Sequence, residues 1–209
     1  MSRGRRAPRS RSENPRSDWV LGGLSAAGLL LAGSLTVAKL ASGSAPFCVA
    51  GSGCEAVQAS RYAVFLGLPT ALWGAMLYAA IGTLALLGLD ARRWLAAFLL
   101  AVGGVSFSAL LTALQVFVIG ALCASCLLSA GIAVALLAVV LVRRPAPSDR
   151  RGPLGPARLF ALAAVTALVT VGLGAGGFAL GGPREAGGYP QVLARHLADS
   201  GAVMYGAYW

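Results

Sequence analysis

The stretch Gly120–Val142, GALCASCLLSAGIAVALLAVVLV, places two cysteines three residues apart at the head of an apolar run long enough to lie across lipid. A spanning helix needs about 20 apolar residues to cover roughly 30 Å of hydrocarbon. Counting outward from 121–142, four more windows satisfy that length: 19–39, 70–89, 94–118 and 159–180. The chain of 209 residues is 57% hydrophobic and 11% charged, against about 25% charge in a soluble domain. Composition therefore predicts an all-α integral membrane protein, with spans two to four close enough in sequence to form a compact antiparallel bundle. The first window follows a basic start, as a secretory signal does, but it is longer than a signal core and reads as a retained span.

The formal net charge of +10 raises the question of nucleic acid, and topology answers it better. Arg3, Arg5, Arg6, Arg9, Arg11 and Arg16 precede the first span. Arg92 and Arg93 lie between spans two and three, and Arg143, Arg144, Arg150, Arg151 and Arg158 lie between spans four and five. Only Lys39, Arg61, Arg184 and Arg195 fall in the other set of loops. The positive-inside rule then puts the N-terminus in the cytoplasm, and five spans put the C-terminus outside. The expected location is the inner (plasma) membrane, multi-pass, with anionic lipid as the partner of the basic segments and no nucleic acid.

That orientation, derived without reference to cysteine, brings Cys48, Cys54, Cys123 and Cys126 to the periplasmic side, where disulfides persist. Residues three apart on a helix have Cβ atoms about 5–6 Å apart, so Cys123 and Cys126 of CASC can open and close a bridge with little backbone movement. A helix N-terminus also favours the thiolate of the first cysteine. Static disulfides and a structural zinc site are the competing readings. A bridge within Cys-x-x-Cys closes too short a loop to stabilise much, and a closed zinc site has no need of the membrane.

Between Cys54 and span two, Glu55, Gln58 and Arg61 form a polar stripe opposite Val57, Val64, Phe65 and Leu68, ended by Gly67 and Pro69. This pattern predicts a short amphipathic half-helix at the outer interface, too short to span and carrying Cys54 at its start. Thiol–disulfide exchange proceeds through a mixed disulfide, so a loop cysteine must reach the first cysteine of CASC. No haem motif is present, and the site sits at the lipid boundary. A membrane-dissolved quinone is the economical acceptor, and no metal is expected.

With these residues in place, the chain resembles the vitamin K epoxide reductase family, particularly its bacterial members. The matching elements are CVAGSGC (Cys48–Cys54), SRYA (Ser60–Ala63), GLPTALWGAMLY (Gly67–Tyr78) and CASC (Cys123–Cys126), in order over residues 19–142. The resemblance implies a four-helix bundle around a quinone site, with the loop and half-helix as its lid and a fifth transmembrane helix outside. It implies that Cys126 faces the quinone, that Cys123 is its disulfide partner, that Cys54 passes electrons to Cys123, and that Cys48 receives them from a thioredoxin-like protein. The function so implied is a membrane thiol:quinone oxidoreductase supporting disulfide formation, with ubiquinone, menaquinone or phylloquinone as acceptor. A zinc-binding or transporter-like membrane protein, or a scaffold with static disulfides, is the alternative. Ser60, Tyr62, Thr70, Trp73, Tyr78 and Ala130 are the expected quinone-contacting residues. Thr70 and Ala130 stand where vertebrate members carry an asparagine and a tyrosine, which argues for simple quinone reduction over epoxide reduction.

The resulting organisation is a basic tail at 1–18, a catalytic bundle at 19–142, a cytoplasmic linker at 143–158, a fifth span at 159–180 and an extracytoplasmic segment at 181–209. That last segment reads as a linker, a helix over 190–200 and a strand in AVMYGAYW. It is similar to the start of the thioredoxin-like domain fused to some bacterial members, in which the Trp is followed by Cys-x-x-Cys. The expectation is that this domain is cut short at Trp209, by an early end of the chain or by a UGA codon read as selenocysteine. GLGAGG at Gly172–Gly177 lies within a span and serves helix packing, not nucleotide binding. His196 is expected on an exposed helix, and Trp94 as an interfacial anchor or a packing residue.

Overall fold

The computed structural model describes residues 18–41, 53–144 and 155–180, together with His196 and Ser200. Cys48, the basic tail before Asp18, the linker 145–154 and nearly all of the expected C-terminal helix and strand lie outside these. His196 is helical and exposed.

Five apolar helices dominate: α1 (Trp19–Leu40), α3 (Thr70–Leu86), α4 (Ala91–Leu114), α5 (Ala124–Val142) and α6 (Pro156–Leu180). A short α2 (Gly53–Ala59) and a two-stranded ribbon, β1 (Val64–Phe65) and β2 (Leu68–Pro69), connect α1 to α3. Four of the helices are long and apolar enough to cross a membrane, α4 doing so together with the π-helical turn Gln115–Ile119 that continues it. The chain is a multi-pass membrane protein. At 17 residues, α3 reaches only the lower limit of spanning length.

The ends of these helices differ from the apolar windows where local chemistry intervenes. α3 stops at Leu86 because Gly88 takes a left-handed φ of 82°, and Asp90 then accepts the backbone N–H of Arg93 to open α4. α5 starts at Ala124, not 121, because Gly120 closes the π turn at φ 71° and Cys123 serves as the cap. α6 begins with Pro156, whose missing N–H costs nothing at a first helical position.

α1, α3, α4 and α5 pack in a closed ring, and α6 lies outside it against α4. Small residues set the spacing. A Cβ on Gly28 would lie 2.7 Å from the Tyr78 ring carbons, so α1 and α3 approach as closely as they do only because that position is glycine. Trp94 belongs to the core, 4% exposed, stacked on Phe98, with its indole N–H donating to the Val140 carbonyl at 2.7 Å.

The starts of α1, α4 and α6 and the ends of α3 and α5 share one rim. There Asp18 caps α1 through Val20 and Leu21, receives Arg143 Nε at 2.9 Å, and donates its own N–H to Ala85 O. Arg92, Arg93, Arg144 and Arg158 belong to the same rim. The described cysteines lie at the opposite one.

The expected half-helix is corrected in extent. Only Gly53–Ala59 is α-helical; Arg61–Ala63 is a 3-10 turn, and Val64 to Pro69 form the antiparallel ribbon, pairing Val64 with Pro69 and Phe65 with Leu68. Ser60 ends α2 by adopting an extended backbone while its hydroxyl donates to Val57 O at 2.7 Å. The ribbon turns through Leu66 and Gly67 at φ 52° and 83°, the positive pair that a tight hairpin needs. Phe65 and Leu68, expected on one helix face, are instead cross-strand partners.

Candidate functional site

Three sulfurs converge where α2, the π turn and the start of α5 meet. Cys54 is the second residue of α2 and is disulfide-bonded, with its partner outside the described residues; Cys123 and Cys126 are free thiols. The sulfur of Cys123 lies 3.5 Å from that of Cys54, and both residues are buried, with Val57 completing a small apolar cluster over them. Gly53 permits the approach, since a Cβ there would fall 2.6 Å from the Leu122 carbonyl oxygen.

Cys123 sits ahead of the membrane-spanning α5 as its cap, and its sulfur accepts the backbone N–H of Cys126 at 3.3 Å. The cysteine pair thus spans a helix boundary instead of one helical face. The Cys126 thiol contributes the largest effect on Cys123. Burial opposes it, the Ser125 hydroxyl and the backbone N–H groups add to it, and the Cys123 thiol falls to about 6.

Below the cysteines, α1, α3, α4, α5 and α6 enclose a cavity of about 810 Å³, within the range of roughly 300–1,000 Å³ typical of small-molecule sites. Its walls are mainly apolar, and Cys126 is on them, as are Thr70, Trp73 and Tyr78. The Tyr78 hydroxyl donates to Ser129 O at 2.8 Å, with the Ser129 hydroxyl equally near. Trp73 donates its indole N–H to Phe65 O at 3.2 Å and Thr70 its hydroxyl to Ala63 O at 3.2 Å, so the start of α3 holds the ribbon. Phe65 and Gln58 close the cavity from the side of α2 and the ribbon. An apolar chamber with few polar groups and one thiol suits a lipid-soluble ring that accepts electrons from sulfur.

Three other expected contacts are placed elsewhere. Ser60 caps the end of α2, Tyr62 packs edge-on against Phe178 of α6 beneath the Arg61 guanidinium, and Ala130 is not among the lining residues, its neighbour Ser129 being the one that faces inward.

Several side chains at the site escaped sequence reading. Gln115, 3% exposed within the π turn, accepts the backbone N–H of Cys123 through Oε1 at 3.0 Å, and also lines the cavity. The Ser125 hydroxyl lies beside the touching sulfurs of Cys54 and Cys123, within reach of both. Thr166 and Thr170 bring α6 into the cavity wall. A glutamine inside an apolar span is costly unless paired, and that cost was the available signal for Gln115. A match to the vitamin K epoxide reductase family covers residues 19–141, from the first residue of α1 to within one residue of the end of α5.

Proposed function

The chain belongs to the vitamin K epoxide reductase family, and from that premise we propose that it is a membrane thiol:quinone oxidoreductase that relays electrons from a thioredoxin-like protein through two cysteine pairs. Electrons enter at Cys48, the first cysteine of the chain, and reach Cys54. The Cys54 thiolate attacks Cys123 of a Cys123–Cys126 bridge, forming a Cys54–Cys123 disulfide and releasing Cys126 as thiolate. Cys48 then attacks Cys54, giving the Cys48–Cys54 bridge and freeing Cys123. The Cys123–Cys126 pair gives two electrons to quinone, which takes up two protons and leaves as hydroquinone while the Cys123–Cys126 bridge re-forms.

The observation that carries this reading is the 3.5 Å approach of Cys123 to a disulfide-bonded Cys54, with Cys126 on the cavity wall. It corresponds to the point in the cycle just after electrons have crossed to the inner pair. Segregation of basic residues to the opposite rim supports a cytoplasmic N-terminus with the cysteines outside, in the inner membrane. Thr70 already spends its hydroxyl proton on Ala63 O, which supports reduction of a simple quinone over an epoxide.

The test is turnover of the full chain in lipid with a reduced thioredoxin-like protein and either ubiquinone or menaquinone. Cys126→Ala is expected to abolish quinone reduction and accumulate the Cys54–Cys123 disulfide. Quinone reduction that survives Cys126→Ala would sink the assignment.

A further inference from the structure

Ser125 is one of the two residues between the cysteines of CASC, and it is 2% exposed. Its hydroxyl oxygen lies 3.2 Å from Cys123 Sγ and 3.6 Å from Cys54 Sγ. Several hydroxyls inside these helices bond to the carbonyl four residues back, as Thr36, Thr83, Ser106 and Thr112 do. As the second residue of α5, Ser125 has no helical carbonyl behind it, so its proton is available to sulfur. Because Cys54 is disulfide-bonded, its sulfur carries no proton, and the hydroxyl is the donor in that contact.

Resting on the relay described above, we propose that Ser125 is a catalytic residue of the exchange step, its hydroxyl donating to whichever of the Cys54 and Cys123 sulfurs carries negative charge. A hydroxyl has one proton, and the two sulfurs are never thiolates of the same step. When Cys54 attacks, Ser125 holds the Cys54 thiolate. When Cys48 displaces Cys123 from Cys54, the S–S electron pair leaves on Cys123 and the proton of Ser125 turns to meet it. The Cys48–Cys54 bond forms as the Cys54–Cys123 bond breaks, and the two electrons stay within the protein. Cys54, Cys123 and Ser125 are all buried, and the Ser125 hydroxyl is a protein donor within reach of both sulfurs.

The reverse of that displacement isolates the step. In the full chain in lipid carrying Cys126→Ala, the Cys123 thiolate attacks the Cys48–Cys54 bridge. The Cys54–Cys123 disulfide and the freed Cys48 thiol, trapped by alkylation, are followed by peptide mass spectrometry across pH. Adding Ser125→Ala is expected to slow the exchange at neutral pH by about tenfold, the loss of one hydrogen bond to a charged sulfur, and to move the midpoint of its pH profile upward. Ser125→Thr, which keeps the hydroxyl, is expected to restore both. An unchanged rate, a slower rate with an unmoved midpoint, or no recovery with threonine would overturn the role of Ser125 and leave the relay standing. Absence of any Cys54–Cys123 disulfide while Ser125 is intact would overturn the relay, and this role with it.

Discussion

The sulfur of Cys123 touches that of Cys54 at 3.5 Å while its other side receives the backbone N–H of Cys126 at 3.3 Å. One atom is therefore both the junction of two cysteine pairs and the cap of a membrane-crossing helix. The cap is part of the chemistry, because an acceptor at a helix N-terminus is strengthened by negative charge.

The consequence is a pH profile. The Cys126 thiol, and after it the Ser125 hydroxyl and the backbone N–H groups, bring the Cys123 thiol down to about 6 against the opposing effect of burial. A lowered value means that the thiolate predominates above about 6 and is lost as pH falls through it. Alkylation of Cys123 in the chain with Cys126 reduced is expected to rise through that pH and level off near neutrality. A profile still climbing toward the ordinary thiol value of about 8.5 would contradict the hydrogen-bonded cap.

Gln115 holds the segment that delivers Cys123. Its Oε1 accepts the Cys123 N–H, and its backbone oxygen accepts the N–H of Ala121 at 3.1 Å, so one residue of the π turn fixes both ends of the link Ala121–Cys123. Gln115→Leu keeps the volume and strands the Cys123 N–H in a buried place, at a cost of about 1–3 kcal/mol. The expected outcome is a lower thermal midpoint in detergent, accompanied by slower exchange between Cys54 and Cys123. Full retention of both would show that the π turn holds its shape without the side-chain contact.

Close packing of α1 on α3 makes another position sensitive. In Gly28→Ala the new methyl would meet Tyr78 Cδ1 and Cε1 at 2.7 Å, and Tyr78, 2% exposed and tied to Ser129, has nowhere to turn. Overpacking of this kind costs about 1–3 kcal/mol. Because Tyr78 also lines the cavity, quinone turnover is expected to fall along with the thermal midpoint. Gly33, on the same helix with open space around its Cβ position, is the control expected to accept alanine.

The spans were legible because lipid admits few alternatives to an apolar helix of sufficient length. The fate of Arg61–Pro69 was not. Glu55, Gln58 and Arg61 recur at a helical interval, yet Ser60 breaks the helix by bonding to Val57 O, and a two-residue turn at Leu66 and Gly67 reverses the chain. Periodicity does not register a hydroxyl that competes with the backbone. Gln115, Ser125 and Ser129 went unread for a related reason: each looks like an isolated polar residue in an apolar run. Gln115 meets a cap N–H across the π turn, while the Cys54 sulfur beside Ser125 and the tyrosine at Ser129 are on other segments, which only the closed bundle brings near.

At the far rim Asp18 performs two tasks that substitutions can separate. As the cap of α1 it accepts the N–H groups of Val20 and Leu21, and as an ion it meets Arg143 at the end of α5. The Asp18 side chain is 11% exposed, whereas that of Arg143 is 51% exposed, so water screens the pair and its contribution stays within about 0–1 kcal/mol. The cap, by contrast, is worth about 1 kcal/mol and is served as well by asparagine as by aspartate. Asp18→Asn is therefore expected to match Arg143→Ala, both lowering stability slightly, while Asp18→Ala lowers it clearly more. In a double-mutant cycle, Asp18→Asn combined with Arg143→Ala is expected to cost little beyond either alone, since each removes the same ion pair. Equal losses in Asp18→Asn and Asp18→Ala, read from thermal unfolding in detergent, would assign the effect to charge and refute the cap.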